Sequence, residues 1–425
     1  AGVRRHYAGT VMRVYLHTFG CKANQYDTEA VAQAIVARGA EVVEDPRAAD
    51  AAVVNSCTVT HVAEAKLRSA VRRLARGRMP SGTVVMGCAA ARDDGRLARL
   101  PGVVSVIPGA DVQAVVSALG LPRSATGQEG RAAGRGARAW LKIQDGCDEH
   151  CTFCATKLAR GANRSRSVTD LVDEAVRLAE HHEEIVLTGV HIGTYGADLG
   201  EGACLGRLVE SLVQRVPRVR FRLSSVEATE VDQRIEDLMV GCPDRLAPHL
   251  HAPLQSGSDR VLRRMGRHWY TAASYRARIE RLAARLPHLG LGADVIVGFP
   301  GETDADHART AALVRGLPFT YLHVFPYSPR PGAAALRLGD AVDSAVRARR
   351  SEDLRGWAEE QGRAYQARRV GGAADVVVLQ RRGGTYEGLT EDYLTAFIPV
   401  EGAPVPGRIH ARLSAERGRL IAQAA

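Results

Sequence analysis

Between Trp140 and Phe325 the chain alternates short apolar runs with helical stretches, six times over. The runs are Trp140–Gln144, Ile185–Thr188, Arg220–Leu223, His249–Pro253, Ala293–Val297 and Tyr321–Phe325. Between them, Val168–His181, Leu205–Val213, Tyr275–Leu286 and Ala305–Leu313 carry apolar residues at helical spacing. Such a series forms a parallel sheet with right-handed crossovers. Six repeats in about 220 residues fall short of the ~250 of a complete eight-fold barrel. The expectation over 140–368 is therefore a partial (β/α)6 barrel of TIM type, with a doubly wound sheet as the competing topology.

A shorter α/β unit precedes it. Val14–Leu16, Ala51–Val54, Thr83–Met86 and Val103–Ile107 read as strands, and Thr28–Arg38, Glu64–Arg76 and Val112–Leu119 as helices. This predicts a flavodoxin-like parallel sheet over 12–120, with Met12 as a candidate natural start. Leu121–Ala139 then holds four Arg against one Glu with no apolar period and reads as a linker. After a helix at about Ser344–Arg368, residues 369–425 change character. Ala374–Leu379, Thr385–Leu389, Tyr393–Pro399, Arg408–Leu413 and Leu420–Ala422 are short strand-like runs between turn residues, the pattern of a small antiparallel β-barrel.

No apolar run approaches the ~18–20 residues of a membrane span, and no apolar leader opens the chain, so the expected location is the cytoplasm. A net charge of +10 permits a polyanionic partner without demanding one. Aromatic content of 5% argues against stacking platforms over the whole surface. Eight cysteines in 425 residues are too few for a disulfide scaffold, so their spacing is read for metal.

Cys147, Cys151 and Cys154 form a C-x3-C-x2-C run directly after the first barrel strand. Three thiolates this close can hold three irons of a 4Fe-4S cubane and leave the fourth open. Zinc with His150 as a ligand, or free thiols, are the alternatives; the second cysteine pair usual for structural zinc is missing. Cys21, Cys57 and Cys88 are dispersed, but each follows a strand end by two to five residues. Ligands bind at that edge of a parallel sheet, so convergence on a second cluster stands beside the reading of three unrelated buried thiols. Cys204 and Cys242 read as bystanders.

These residues resemble the radical S-adenosylmethionine (SAM) methylthiotransferases over nearly the whole chain. The Cys147-Cys151-Cys154 spacing, with Phe153 before the last cysteine, is similar to the radical-enzyme signature. His17–Tyr26, Asn55–Thr60 and Met86–Cys88 resemble the family's N-terminal cluster domain, and the tail with Gly388–Tyr393 resembles its TRAM β-domain. Leu141–Cys147, Glu184–His191, Ser224–Ala228 and His323–Ser328 are similar to the branch acting on N6-threonylcarbamoyladenosine in tRNA. The resemblance implies two 4Fe-4S clusters, an auxiliary one on Cys21, Cys57 and Cys88 and a radical one on Cys147, Cys151 and Cys154. It also implies two SAM per turnover, an electron donor such as flavodoxin or ferredoxin, a sulfur donor, and the tRNA anticodon loop as partner.

Phe153, Thr188, Gly189, Ser225, Glu227, Gln255 and Val297 lie at the ends of barrel strands or beside the cluster and are candidate SAM contacts; loop or capping chemistry is the alternative for each. Lys157, Arg160, Arg164 and Arg166 set four cations beside the first cluster and suit phosphates or a carboxylate; a solvated basic stretch is the alternative. Where the family usually has two apolar residues and a proline, this chain has Ala155-Thr156-Lys157-Leu158. That altered wall keeps a peptide substrate, a ribosomal protein or natural-product precursor, as the second reading. A non-catalytic, metal-stabilised RNA-binding protein is the third.

Overall fold

The structure is a computed structural model that describes residues 11–58, 61–77, 79–122, 136–399 and 405–424. The first unit holds strands β1 (Arg13–Thr18), β2 (Glu41–Val43), β3 (Ala51–Ser56), β4 (Thr83–Gly87) and β5 (Val103–Pro108) with helices α1 (Lys22–Val36), α2 (His61–Arg76) and α3 (Val112–Ala118). All five strands are parallel, in the order β2-β1-β3-β4-β5, the flavodoxin-like arrangement. Strands β3 and β4 are wholly buried, which explains their unbroken apolar sequence, since helices cover both faces. Edge strand β2, three residues long and half exposed, is the one the sequence reading missed. Helix α1 also starts six residues earlier than expected. Its first turns look polar because Asn24 and Asp27 point into the protein, where both are buried.

Most of the expected linker, 123–135, lies outside the described residues. The next strand begins at Arg138 rather than Trp140. The second unit runs β6 (Arg138–Lys142), β7 (Gln144–Asp145), α4 (Thr156–Arg160), β8 (Arg164–Ser165), α5 (Val168–Ala179), β9 (Glu184–Thr188), α6 (Leu205–Arg215), β10 (Arg220–Leu223), α7 (Gln233–Gly241), β11 (His249–His251), α8 (Asp259–Arg264), α9 (Ala272–Arg285), β12 (Gly290–Val297), α10 (Asp304–Arg315), β13 (Tyr321–Pro326) and α11 (Ser344–Arg369). Parallel ladders join β6-β9-β10 and β11-β12-β13, and single parallel bridges, Phe221 with Leu246 and Ser225 with His251, link the two halves. Chain order and spatial order agree throughout. This is the (β/α)6 arrangement, not a doubly wound sheet, in which the order would reverse.

Alternation along these strands separates two environments. Leu141, Ile185, Leu187, Phe221, Leu223, Leu250, Leu291, Ala293 and Val295 pack outward into one core under the helices. Glu184, Arg220, Arg222, His249, His251, Asp294, Tyr321 and His323 line the inner face. At the amino-terminal end of that lumen, Glu184 accepts from Arg138 (2.7 Å), Arg220 (2.8 Å) and Arg222 (2.9 and 3.0 Å). Burial alone would raise the Glu184 pKa, but the three guanidinium charges hold it well below the usual range.

The surplus positive charge is met by the third unit. Its strands β14 (Ala373–Arg382), β15 (Thr385–Thr390), β16 (Thr395–Pro399), β17 (Arg408–Glu416) and β18 (Arg419–Ala424) close a barrel in the order β14-β15-β16-β18-β17. Arg220 donates to the Asp375 carbonyl at 2.7 Å, and Arg222 donates to the carbonyls of Thr390 and Glu391 at 3.0 Å. The small barrel therefore closes the lumen at that end. Removing one partner of a buried ionic cluster costs about 3–5 kcal/mol. Glu184→Gln should lower the thermal unfolding midpoint correspondingly; an unchanged midpoint would contradict the ionic account of this junction.

Candidate active site

Antiparallel pairing of β7 with β8 pinches off the loop that carries Cys147, Cys151 and Cys154. Gly146 enters the loop at φ +74°, where a Cβ would sit 1.8 Å from the Ala162 carbonyl oxygen. Only glycine makes that turn. The Cys147 N–H then donates to the Gly161 carbonyl at 3.0 Å and the Thr152 N–H to that of Met265 at 2.8 Å. Phe153 packs beside Val261, Met265, Ile296 and Phe299, fastening the loop to the end of β12.

Each sulfur has a nitrogen beside it. His191 Nδ1 lies 3.7 Å from Cys147 Sγ, Arg267 Nη1 donates to Cys151 Sγ at 3.5 Å, and the Thr156 N–H donates to Cys154 Sγ at 3.3 Å. Donors aimed at sulfur suit cluster thiolates. Burial pushes the bare Cys151 thiol up to about 12 despite Arg267, so metal rather than solvent would draw out its thiolate. Burial lowers the His191 pKa, but hydrogen bonds with Cys147 and Glu230 outweigh it and push the group up to about 10. His150 Nε2, the nitrogen a zinc reading would use, instead lies 3.2 Å from the Lys157 ammonium.

The other three cysteines share one neighbourhood at the strand-order reversal of the first sheet. Cys21 caps α1, and Cys57 and Cys88 follow β3 and β4. Cys21 Sγ lies 3.2 Å from Asn24 Oδ1, and the space above Gly20 is filled by the Cys57 Cβ at 3.0 Å. Gly87 turns the chain toward Cys88 at φ +96°, where any Cβ would meet Asn55 Oδ1 at 2.3 Å. Burial raises the Cys88 pKa, opposed by Arg160.

The four candidate substrate cations separate. Arg160 is buried: Nε donates to Cys88 Sγ (3.2 Å), Nη1 to Asp145 (3.0 and 3.1 Å), and Nη2 to Asn24 (3.3 Å) and Asp27 (2.8 Å). It is a bridge between the two cysteine groups, and the expectation that it is a free substrate cation is corrected on that geometry. Arg166 is engaged by Glu174 and the Tyr26 hydroxyl. Lys157 donates to the Asp148 carbonyl, and Arg164 is exposed.

Among the candidate SAM contacts, Thr188 and Gly189 end β9 against Gln144, whose Oε1 accepts from the Val190 and His191 N–H groups. Ser225 is exposed where β10 ends, and Gln255 sits at φ +61° beside β12. The Val297 carbonyl accepts from the Tyr327 N–H. The Glu227 carboxylate is occupied by Arg267 and by Trp269 Nε1 (2.7 Å), which makes it a support for Arg267 rather than a free ligand. Cys204 and Cys242 cap α6 and α7, away from both groups.

Sequence reasoning missed the lumen cluster His251, Asp294 and His323. Asp294 Oδ1 lies 3.1 Å from His251 Nε2 and 3.3 Å from His323 Nδ1, and Tyr321 OH meets His249 (2.9 Å) and His251 (3.1 Å). Polar alternation in β11–β13 was the available signal. Lys22 was missed too: its pKa falls to about 8 through burial and the charges of Arg138 and Arg222.

Gly146→Ala should displace the cysteine loop and strip iron from the Cys147 group while sparing the Cys21 group. Full iron content in that variant, measured by elemental analysis, would contradict the turn's role.

Comparison with known proteins agrees with this geometry. The model of Uncharacterized protein family UPF0004 matches residues 13–109, and that of the Radical SAM superfamily matches residues 141–314. The chain is 35% identical to the threonylcarbamoyladenosine tRNA methylthiotransferase MtaB of Bacillus subtilis, covering 90% of this chain and 89% of that protein. It is 34% identical to the tRNA-2-methylthio-N(6)-dimethylallyladenosine synthase of Acidithiobacillus ferrooxidans, covering 87% and 86%. The fold is shared with the radical SAM methyltransferase TsrM of Kitasatospora setae at TM-score 0.56 and 16% identity, over 75% of this chain and 74% of that one. With two such relatives spanning most of its length, the chain belongs to the radical SAM methylthiotransferases.

Proposed function

We propose that this chain adds a methylthio group to carbon 2 of N6-threonylcarbamoyladenosine-37 in tRNA, using two SAM per turnover and two 4Fe-4S clusters. Radical SAM membership implies SAM and one cluster; Cys21, Cys57 and Cys88 are the proposed holders of the second. When bound, these groups supply a 5′-deoxyadenosyl radical and the sulfur of the methylthio group. The chain's residues hold, orient and shield. Cys147, Cys151 and Cys154 would hold the cluster that serves SAM, and Phe153 packs their loop against Val261, Met265, Ile296 and Phe299. The backbone at Thr188 and Gly189, with Ser225 and Gln255, offers polar contacts at the strand ends, and Val297 an apolar wall.

The observation that carries the substrate is the lumen's positive charge. Lys22 stands with Arg222 around Tyr393, and its pKa falls to about 8 chiefly through burial, with the charges of Arg138 and Arg222 adding to it. A threonylcarbamoyl group brings a carboxylate and a hydroxyl to such a site, whereas a dimethylallyl group brings only hydrocarbon. Above them Phe325, 37% exposed, stands edge-on to His323, a surface on which a flipped base can stack. Arg164 and Lys157 remain for phosphates, while residues 373–424 of the TRAM-like barrel carry six Arg against six Asp and Glu and add no net charge. A flavodoxin- or ferredoxin-class protein supplies electrons and a separate donor renews the sulfur.

The anaerobically reconstituted chain should hold about eight irons and eight sulfides, three cysteines serving each cubane. Replacing Cys147, Cys151 and Cys154 by Ala should halve the iron and abolish SAM cleavage. Replacing Cys21, Cys57 and Cys88 should halve it and leave 5′-deoxyadenosine formation detectable. Four irons in the intact chain would defeat the two-cluster reading.

Host tRNA should lose 2-methylthio-N6-threonylcarbamoyladenosine when the gene is deleted, as read by nucleoside mass spectrometry. An unchanged nucleoside profile with a methylthiolated peptide appearing instead would establish the peptide reading.

A further inference from the structure

Arg160 touches a cysteine of one group and the approach to the other. Its three nitrogens point three ways: Nε to Cys88 Sγ, Nη1 to Asp145, and Nη2 to Asn24 and Asp27. Asp145 lies two residues before Cys147, and Asn24 is also beside Cys21. Lys142 completes the group, donating to Asp27 at 2.5 Å and Asp145 at 2.9 Å. Two cations and two carboxylates balance, so the guanidinium is held by paired charges and its Nε–H is fixed in direction. A planar guanidinium spreads five donors over three nitrogens and so reaches all four partners, whereas an ammonium offers three donors from one atom.

From this we propose that Arg160 is a positioning residue for the second cluster. It locks the Cys21–Cys57–Cys88 site against the Cys147 loop, and its Nε–H to the Cys88 sulfur raises that cluster's reduction potential. The inference rests on the two-cluster reading above. A hydrogen bond to a ligating sulfur draws charge from the iron–thiolate unit and makes the reduced form easier to reach. A second arginine stands ready on the same domain junction. Arg330, 2% exposed, bonds Thr58, the residue after Cys57, and Glu64, while its Nε and Nη1 have no partner. Buried donors without acceptors are costly, and these two belong to the side chain that bonds the residue after Cys57.

The test is an EPR-monitored redox titration of the full-length chain loaded with both clusters. The signal that changes on adding SAM belongs to the radical cluster, and the other belongs to the second. Arg160→Lys keeps a charge for Asp27 and Asp145 but removes the Nε–H from Cys88. At full iron content, it should lower the second cluster's midpoint and cut methylthiolation at least ten-fold, more than it cuts uncoupled 5′-deoxyadenosine formation. Arg160→Gln, which also removes the charge, should lower the midpoint further or release iron from the second site alone. A second-cluster midpoint unmoved in Arg160→Lys at eight irons would overturn the inference by itself. Four irons in the native chain would overturn the two-cluster reading, and this inference with it.

Discussion

A buried ionic seam decides how the two halves of this active site meet. Asp27 and Asp145 each lie between Lys142 and Arg160, and the buried Asp27 and Arg160 depend on these partners for their charge balance. Asp27 comes from the first domain's α1, the rest from the barrel and its cysteine loop. Docking the domains thus completes the charge balance, and the same step brings Cys88 beside Arg160. A second tie, from Arg330 to Thr58 and Glu64, fixes the junction from the other side. Two arginines and their carboxylates hold the two domains in register.

The barrel's inner face follows a related logic. A (β/α)6 series leaves a polar lumen because its apolar residues are committed to the helices outside. Glu184 gathers three arginines at one end, and backbone carbonyls of the small barrel take further donors of Arg220 and Arg222. Lys22 of the first domain also reaches this end, where burial first and then the charges of Arg138 and Arg222 lower its pKa. The first domain therefore contributes a cation beside the lumen, from the residue after Cys21.

Much of this was legible in the residues. Period-2 and period-3.6 patterns located all six barrel strands and all five strands of the small barrel to within a few residues, because each buries one face against a continuous core. Both cysteine groups stood out, one by spacing and one by position after strands. The misses share a cause. Helix α1 hid its first turns because Asn24 and Asp27 are polar yet inward-facing, their partners lying about 30 and over 100 residues away. Arg160 resembled its neighbours Arg164 and Arg166 in sequence, and only the fold turns it toward Cys88. The His251–Asp294–His323 cluster draws on three strands, and no linear pattern reports that.

The central claim is that the radical formed at the Cys147 site acts on carbon 2 of the modified adenosine. tRNA carrying deuterium at that carbon tests it most directly, with mass spectrometry of the 5′-deoxyadenosine released. The account predicts one deuterium in 5′-deoxyadenosine for each methylthiolated nucleoside formed. Methylthiolated product accompanied by unlabelled 5′-deoxyadenosine would contradict it.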